Sequence, residues 1–411
     1  MKALFIVRSS AGELEWVLPI MDSLRRRAWF VDLAFVTERG RSSSYANGQC
    51  ARLLAELAVR ELLLLNPVLE RIYKGLDLLY RISQRLHQAW ISRSLIWGFS
   101  CLLSVAGVLN KIRPRYELVF FEFSSDKSLF AAWLRRSKKF RTIIYFPHSP
   151  HIYANTQNYS QVAFNSSNMK INEYNEIYWF GSRSDLDSLK DARWSPAVGA
   201  EIVYFGHPKL SLDWITKLKH LNLCKTPSPT SGFSVAILSR GSGNFIDSEE
   251  QKRLCLGVYN TLADDDDVDR VFIKRHPREI QNSHWNKIFH EKFEQTEKSV
   301  IELAGSVDLF IGFWTSAALE INRLGIPYIE YYDPSAFPAG QISTDLGCRT
   351  VYDIAGLATT APNEPELMSA VESVKRRQYV SPTPDDEVIS LFRTSDNWHA
   401  KFEELLNNVL L

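Results

Sequence analysis

At 411 residues the chain is too long for one small core and predicts two domains. Its 45% hydrophobic and 23% charged residues exclude a disordered or fibrous protein, and a formal net charge of +1 excludes any global attraction to nucleic acid. The five cysteines are scattered, without the close spacing of a metal knuckle or redox pair, and read as reduced thiols of a cytosolic protein.

In chain order, Leu4–Val7 reads as a first buried strand, too short an apolar run for a signal peptide. It ends in the polar stretch Ser9-Ser-Ala-Gly-Glu13, and Phe30–Val36 reads as the second strand. From about 51 to 110 only helical pattern is seen, broken at Pro67. Arg71, Lys74, Arg81, Arg85 and Arg93 stand there against the single acid Asp77, beside Leu79, Leu86 and Trp90. This 71–93 segment has two readings: covering helices with a wet basic face, or a basic amphipathic surface that touches an anionic bilayer. Leu95–Leu109 is shorter than the ~20 apolar residues of a membrane span and is diluted by Gly98, Ser100, Ser104 and Gly107.

Further strands are expected at Leu118–Phe123, Thr142–Phe146, Glu176–Trp179 and Ile202–Phe205. Two of their ends carry polar groups, in Glu122-Phe-Ser-Ser-Asp126 and Phe146-Pro-His-Ser-Pro-His-Ile-Tyr153. Glu13, Glu122, Asp126 and His148 are therefore the general-base candidates, each of which can equally serve as a cap or turn residue. His148 leads, because prolines on both sides stiffen its loop. Asp185-Leu-Asp187 falls where a helix should begin, which suits capping.

Thr226-Pro-Ser-Pro-Thr-Ser-Gly232 reads as the linker. The predicted domains are thus 1–225, with a helical insertion at about 51–110, and 232–395, followed by an amphipathic helix over 396–411. Second-half strands are expected at Phe233–Ser239, Arg270–Lys274, Asp308–Gly312, Pro327–Tyr331 and Arg349–Tyr352. Continuous apolar strands alternating with helices predict parallel sheets: an α/β protein of two Rossmann-like, doubly wound domains facing a cleft.

Three strand ends of the second domain carry chemistry. Ser239-Arg-Gly-Ser-Gly-Asn244 offers Arg240 and backbone amides made approachable by Gly241 and Gly243, with Ser242 between them. Lys274-Arg275-His276-Pro277-Arg278 places three cations and an imidazole where open α/β sheets bind anions. Trp314-Thr315-Ser316-Ala317 opens a helix whose free amides and hydroxyls suit a phosphate, with Glu320 one turn on to accept from ribose hydroxyls. Each motif also has a plain reading: a glycine turn, a solvated basic turn, an ordinary helix cap. No His/Cys cluster has metal spacing, and serine-hydrolase and kinase signatures are missing from the sequence, so metal-independent chemistry without a cofactor is expected.

Ile202-Val-Tyr-Phe-Gly-His-Pro-Lys209 resembles the Gly-x-Pro turn of lipid A disaccharide synthase, the UDP-GlcNAc 2-epimerases and related GT-B proteins. Asp308–Glu320 resembles the donor-binding strand, turn and helix of that superfamily. Lys274-Arg275-His276-Pro277 is similar to the His-Pro motif of bacterial users of CMP-Kdo or CMP-sialic acid and of CDP-glycerol transferases. The resemblance implies a nucleotide-sugar donor held by the second domain, with His276 and Thr315-Ser316 at its phosphate. It implies a cytoplasmic glycosyltransferase, at the inner membrane face if the basic helix docks there. Its product would be capsule, lipopolysaccharide or another surface polysaccharide, from a CMP- or CDP-linked donor and a glycan or lipid-linked glycan acceptor. A UDP-sugar 2-epimerase and a non-catalytic GT-B binding module are the alternatives. The chain departs from the sialyltransferases in having no acidic-acidic-glycine motif, and from the CDP-glycerol transferases in having Phe146-Pro147-His148-Ser149 where they carry a Trp-His-Gly motif.

Overall fold

The structure, a computed structural model, describes residues 1–8, 11–65, 68–75, 115–122, 131, 134, 140–147, 175–183, 185–186, 200–221, 232–241, 246–276, 279, 283–333 and 350–410. Its first sheet is built from β1 (Lys2–Val7), β2 (Phe30–Phe35), β3 (Arg60–Leu63), β4 (Tyr116–Glu122), β5 (Phe140–Phe146), β6 (Asn175–Phe180) and β7 (Glu201–Tyr204). Helices α1 (Ala11–Arg26), α2 (Glu38–Ala46) and α3 (Gly48–Leu57) connect its opening strands. All pairings are parallel, in the order β3-β2-β1-β4-β5-β6-β7. Phe5 and Phe120 stack across β1 and β4, and both strands are buried on both faces, which is why they read as unbroken apolar runs.

After α4 (Leu212–His220), the second sheet takes β8 (Phe233–Leu238), β9 (Val268–Lys274), β10 (Phe293–Gln295), β11 (Leu309–Gly312), β12 (Tyr328–Tyr331) and β13 (Thr359–Ala361), in the order β10-β9-β8-β11-β12-β13. Its helices are α5 (Ser248–Leu262), α6 (Val300–Ala304), α7 (Ala317–Leu324), α8 (Val351–Ile354) and α9 (Glu364–Lys375). Strand order reverses at β1/β4 and again at β8/β11. Crevices open outside the carboxyl ends of strands at such switch points.

Three strands differ from expectation. Arg60–Leu63 extends the first sheet inside the stretch read as helical, pairing with β2. It is a four-residue edge strand with two charges, entered from Ala58 at φ 47°, so no glycine marks the turn. β10 is three residues long and equally silent in the sequence. Around 349–352 a helix replaces the expected strand, because the Thr350 side chain accepts from the Asp353 amide and caps α8; the strand lies later, at Thr359–Ala361.

Helices α10 (Asp386–Asp396) and α11 (Trp398–Leu410) return to the first domain. Phe402 packs 5.8 Å from Phe205 and 6.5 Å from Phe120, and the Ser395 hydroxyl accepts from the His207 amide at 2.9 Å. Gly206, at φ +76°, lets this contact close, since a Cβ there would lie 2.4 Å from the Ser395 backbone. No helix among the described residues is long and apolar enough to cross a membrane. Most of the basic 71–93 segment and all of Leu95–Leu109 lie outside the described residues.

Candidate functional site

Parallel register sets Lys274, Leu238, Gly312 and Glu330 in one row at the carboxyl edge of the second sheet. The chain leaving that row contains all three motifs. From β8, the Arg240 guanidinium lies 5.4 Å over the Trp314 ring and donates to the Trp314 carbonyl at 2.7 Å. Trp314 makes this geometry with a left-handed backbone, φ 54°, which is costly for a residue with a side chain. The reversal turns its carbonyl toward β8 and sends Thr315 and Ser316, both half-buried, over the start of α7. The Thr315 hydroxyl accepts from the Ala317 amide at 3.3 Å. Gly312 is required beneath the turn, where a Cβ would come within 2.2 Å of the Tyr328 hydroxyl.

A buried carboxylate with little mark in the sequence ties the other two strand ends together. Glu279 accepts from the Ser239 hydroxyl at 2.7 Å, Gln251 at 2.9 Å, the Ser283 hydroxyl at 2.8 Å and the His276 amide at 3.2 Å. Its only signal in the sequence is an acid three residues past His276, the spacing of a local cap. Lys274 and Arg275 are half-buried and His276 is exposed; Arg275 donates to Asn286 at 3.0 Å. Ser242, Gly243, Pro277 and Arg278 lie outside the described residues.

Facing this edge is the first domain. Glu13, in the first turn of α1, accepts from the Arg8 amide at 2.6 Å and closes the β1–α1 connection. Glu122 is buried at the end of β4, opposite Phe146. His148 and Asp126 lie outside the described residues. Asp185, expected as a helix cap, instead donates its own amide to the Ser182 hydroxyl at 3.2 Å, while its carboxylate accepts from the Gly181 amide at 3.0 Å and meets His207 at 3.1 Å.

The two domains meet through Lys209, from the Gly-x-Pro turn. Its ammonium lies 2.7 Å from Glu15 of α1 and 3.2 Å from Glu320 of α7. Burial would raise the Glu15 carboxyl, but Lys209, Lys274 and Asn47 outweigh it and hold that carboxyl below its usual value. Burial together with the neighbouring Glu15 charge raises Glu320, against Lys209 and Lys274. Burial disfavours the charged Lys209, yet the two carboxylates dominate and keep it protonated, well above its usual value. These ion pairs join the N-terminal parts of α1 and α7, the helices that follow the carboxyl ends of β1 and β11. Glu320, the candidate ribose ligand, is thus already engaged from the opposite domain.

No protein-family model matches the chain, and no curated protein matches it significantly in sequence. Solved structures match over nearly the whole length. The UDP-GlcNAc 2-epimerase of Neisseria meningitidis bound to UDP-GlcNAc superposes with a TM-score of 0.56 at 11% identity, covering 99% of this chain and 100% of that one. A putative UDP-N-acetylglucosamine 2-epimerase from Listeria monocytogenes gives 0.55 at 12% identity, covering 98% and 97%. The Staphylococcus aureus protein MnaA, solved with UDP, gives 0.54 at 11% identity, covering 99% and 95%. The fold is GT-B. Within a GT-B frame, the Arg240–Trp314 contact sits at the switch point of the second domain, and the α10–α11 return closes the first.

Proposed function

We propose that this GT-B chain binds a nucleotide-activated sugar in the second domain and transfers the sugar to a glycan or lipid-linked glycan of surface polysaccharide or lipopolysaccharide assembly. The observation that carries the reading is the Arg240 guanidinium clasped to the carbonyl of left-handed Trp314, directly before the hydroxyls of Thr315 and Ser316 and the start of α7. A cation, two hydroxyls and a helix start converging at a switch point suit a diphosphate or phosphodiester. Gly241, Ser242, Gly243 and Ala317 would supply close backbone approach, and Lys274, Arg275, Arg278 and His276, beside Pro277, the remaining positive charge. Glu320 would accept from the ribose. Proton removal from the acceptor falls to His148, or to a carboxylate at Glu122, Asp126 or Glu13, with domain closure keeping water from the donor. The similarity of Lys274–Pro277 to the His-Pro motif favours a CMP- or CDP-linked donor.

The whole-chain likeness to UDP-GlcNAc 2-epimerases favours one second reading, an epimerase acting on a UDP-sugar without an acceptor. A thermal-shift panel of CMP, CDP, UDP, GDP and ADP tests both. A transferase of the His-Pro type is stabilised most by a cytidine nucleotide, and an epimerase by UDP. Incubation with UDP-GlcNAc alone then decides: an epimerised product without acceptor overturns the transferase reading. No stabilisation by any of the five at millimolar concentration overturns both and leaves a binding module.

A further inference from the structure

Lys209 has no part in the donor site as drawn above, yet its side chain touches both Glu15 of the first domain and the candidate ribose ligand. Its backbone is held from three sides. The His207 amide donates to Ser395, the Ser211 hydroxyl donates to the Pro208 carbonyl at 2.7 Å, and Arg323 of α7 donates to the Leu210 carbonyl at 3.0 Å. Its stem crosses the Trp16 face, with the ammonium 5.5 Å from the ring centroid. The head therefore arrives between Glu15 and Glu320 with little freedom. Glu15 has a second support, since Asn47 donates to its other oxygen at 2.8 Å. Among the described residues Glu320 is paired only with the Lys209 ammonium, 3.2 Å from its Oε2.

We propose that Lys209 is the positioning residue of the nucleotide site: it fixes one oxygen of Glu320 and leaves the other for a ribose hydroxyl, with Glu15 as its anchor in the opposite domain. This rests on the reading of Glu320 as a ribose contact. The physical need is plain. A carboxylate that is 8% exposed and has no counter-charge takes up a proton, and a carboxylic acid is a weaker acceptor than a carboxylate. Among the described residues the charged groups facing Glu320 are Lys209, Glu15 and Lys274, so removing Lys209 leaves there one like charge and one half-buried cation at the end of β9.

The test is a calorimetric comparison of UDP and CDP with their 2′,3′-dideoxy counterparts, on the intact chain across about pH 6 to 9. Wild type should prefer the ribonucleotide by about tenfold at every pH, the size of a hydrogen bond to a charged acceptor. Lys209→Met should lose that preference at the acid end of the range and regain it as the pH rises and Glu320 gives up its proton, while dideoxynucleotide affinity holds within about threefold. Lys209→Arg, which can bridge the same two carboxylates, should keep the wild-type ratio. A Lys209→Met variant that keeps the preference at all pH values overturns the proposal, as does one that loses ribose and dideoxy binding equally. Wild type that binds nucleotide with no ribose preference removes Glu320 from the site. Wild type that binds none of the four overturns the donor-site reading itself.

Discussion

Glu330 offers the sharpest test of the electrostatics beneath the Trp314 turn. The third residue of β12, it has no solvent exposure, accepts from the Thr350 hydroxyl through Oε2, and has no hydrogen-bond partner for Oε1 among the described residues. Burial pushes its carboxyl from 4.5 up to about 8, with Asp353 adding to the shift and Thr350 and Arg240 opposing it. The folded chain therefore holds a proton that the unfolded chain releases at ordinary acidity. Stability should fall as pH climbs from about 4.5 through about 8, the reverse of a salt-bridged carboxylate. The gap between those values sets a ceiling of about 5 kcal/mol at about 1.4 kcal/mol per pH unit, and relaxation around the buried charge should reduce it to roughly half. Glu330→Gln keeps the shape and the Thr350 contact but cannot ionise. Urea unfolding should find the variant within about 1 kcal/mol of wild type near pH 5 and about 2 kcal/mol or more above it near pH 9. Parallel stability curves across that range would refute the reasoning, because they would mean that Glu330 ionises in the fold without cost.

The other predictions concern the scaffold and the proposed donor site. Gly206→Ala meets both a left-handed backbone and the Ser395 main chain at 2.4 Å, and should cost about 3 kcal/mol or more by denaturant melt; a loss under 1 kcal/mol would mean that α10 does not close on this turn. Arg240→Met should weaken nucleotide binding about tenfold and move the melting temperature by only a few degrees, since the guanidinium is half-buried and joins two turns, not two core layers. His276→Ala should also lower nucleotide affinity and activity, with circular dichroism unchanged because the ring is exposed; wild-type affinity would take the His-Pro motif out of the donor site.

Much of the fold was legible because central parallel strands are buried on both faces. β1, β4, β5 and β8 each announce themselves as apolar runs, and the strand ends that follow are where open sheets place ligands. What escaped was short or non-local. β3 and β13 sit on sheet edges with three or four residues, and a single threonine hydroxyl at 350 turned an apparent strand into a helix. For the site, the positions of Arg240, Thr315, Ser316 and Glu320 followed from local pattern. The left-handed Trp314 did not, since a tryptophan gives no hint of positive φ. Nor did the engagement of Glu320 by Lys209, because an ion pair between residues 111 positions apart leaves no periodicity to read.

The return of α10 and α11 also bears on how the protein is made. His207 and its acceptor Ser395 are separated by 188 residues, and Phe402 fills space between Phe120 and Phe205. On the ribosome the first sheet must wait, its aromatic floor uncovered, until the whole second domain has emerged and the crossing helices arrive. A chain that stops before α10 leaves that aromatic face without its cover, the kind of apolar surface that makes an incomplete fold prone to aggregate.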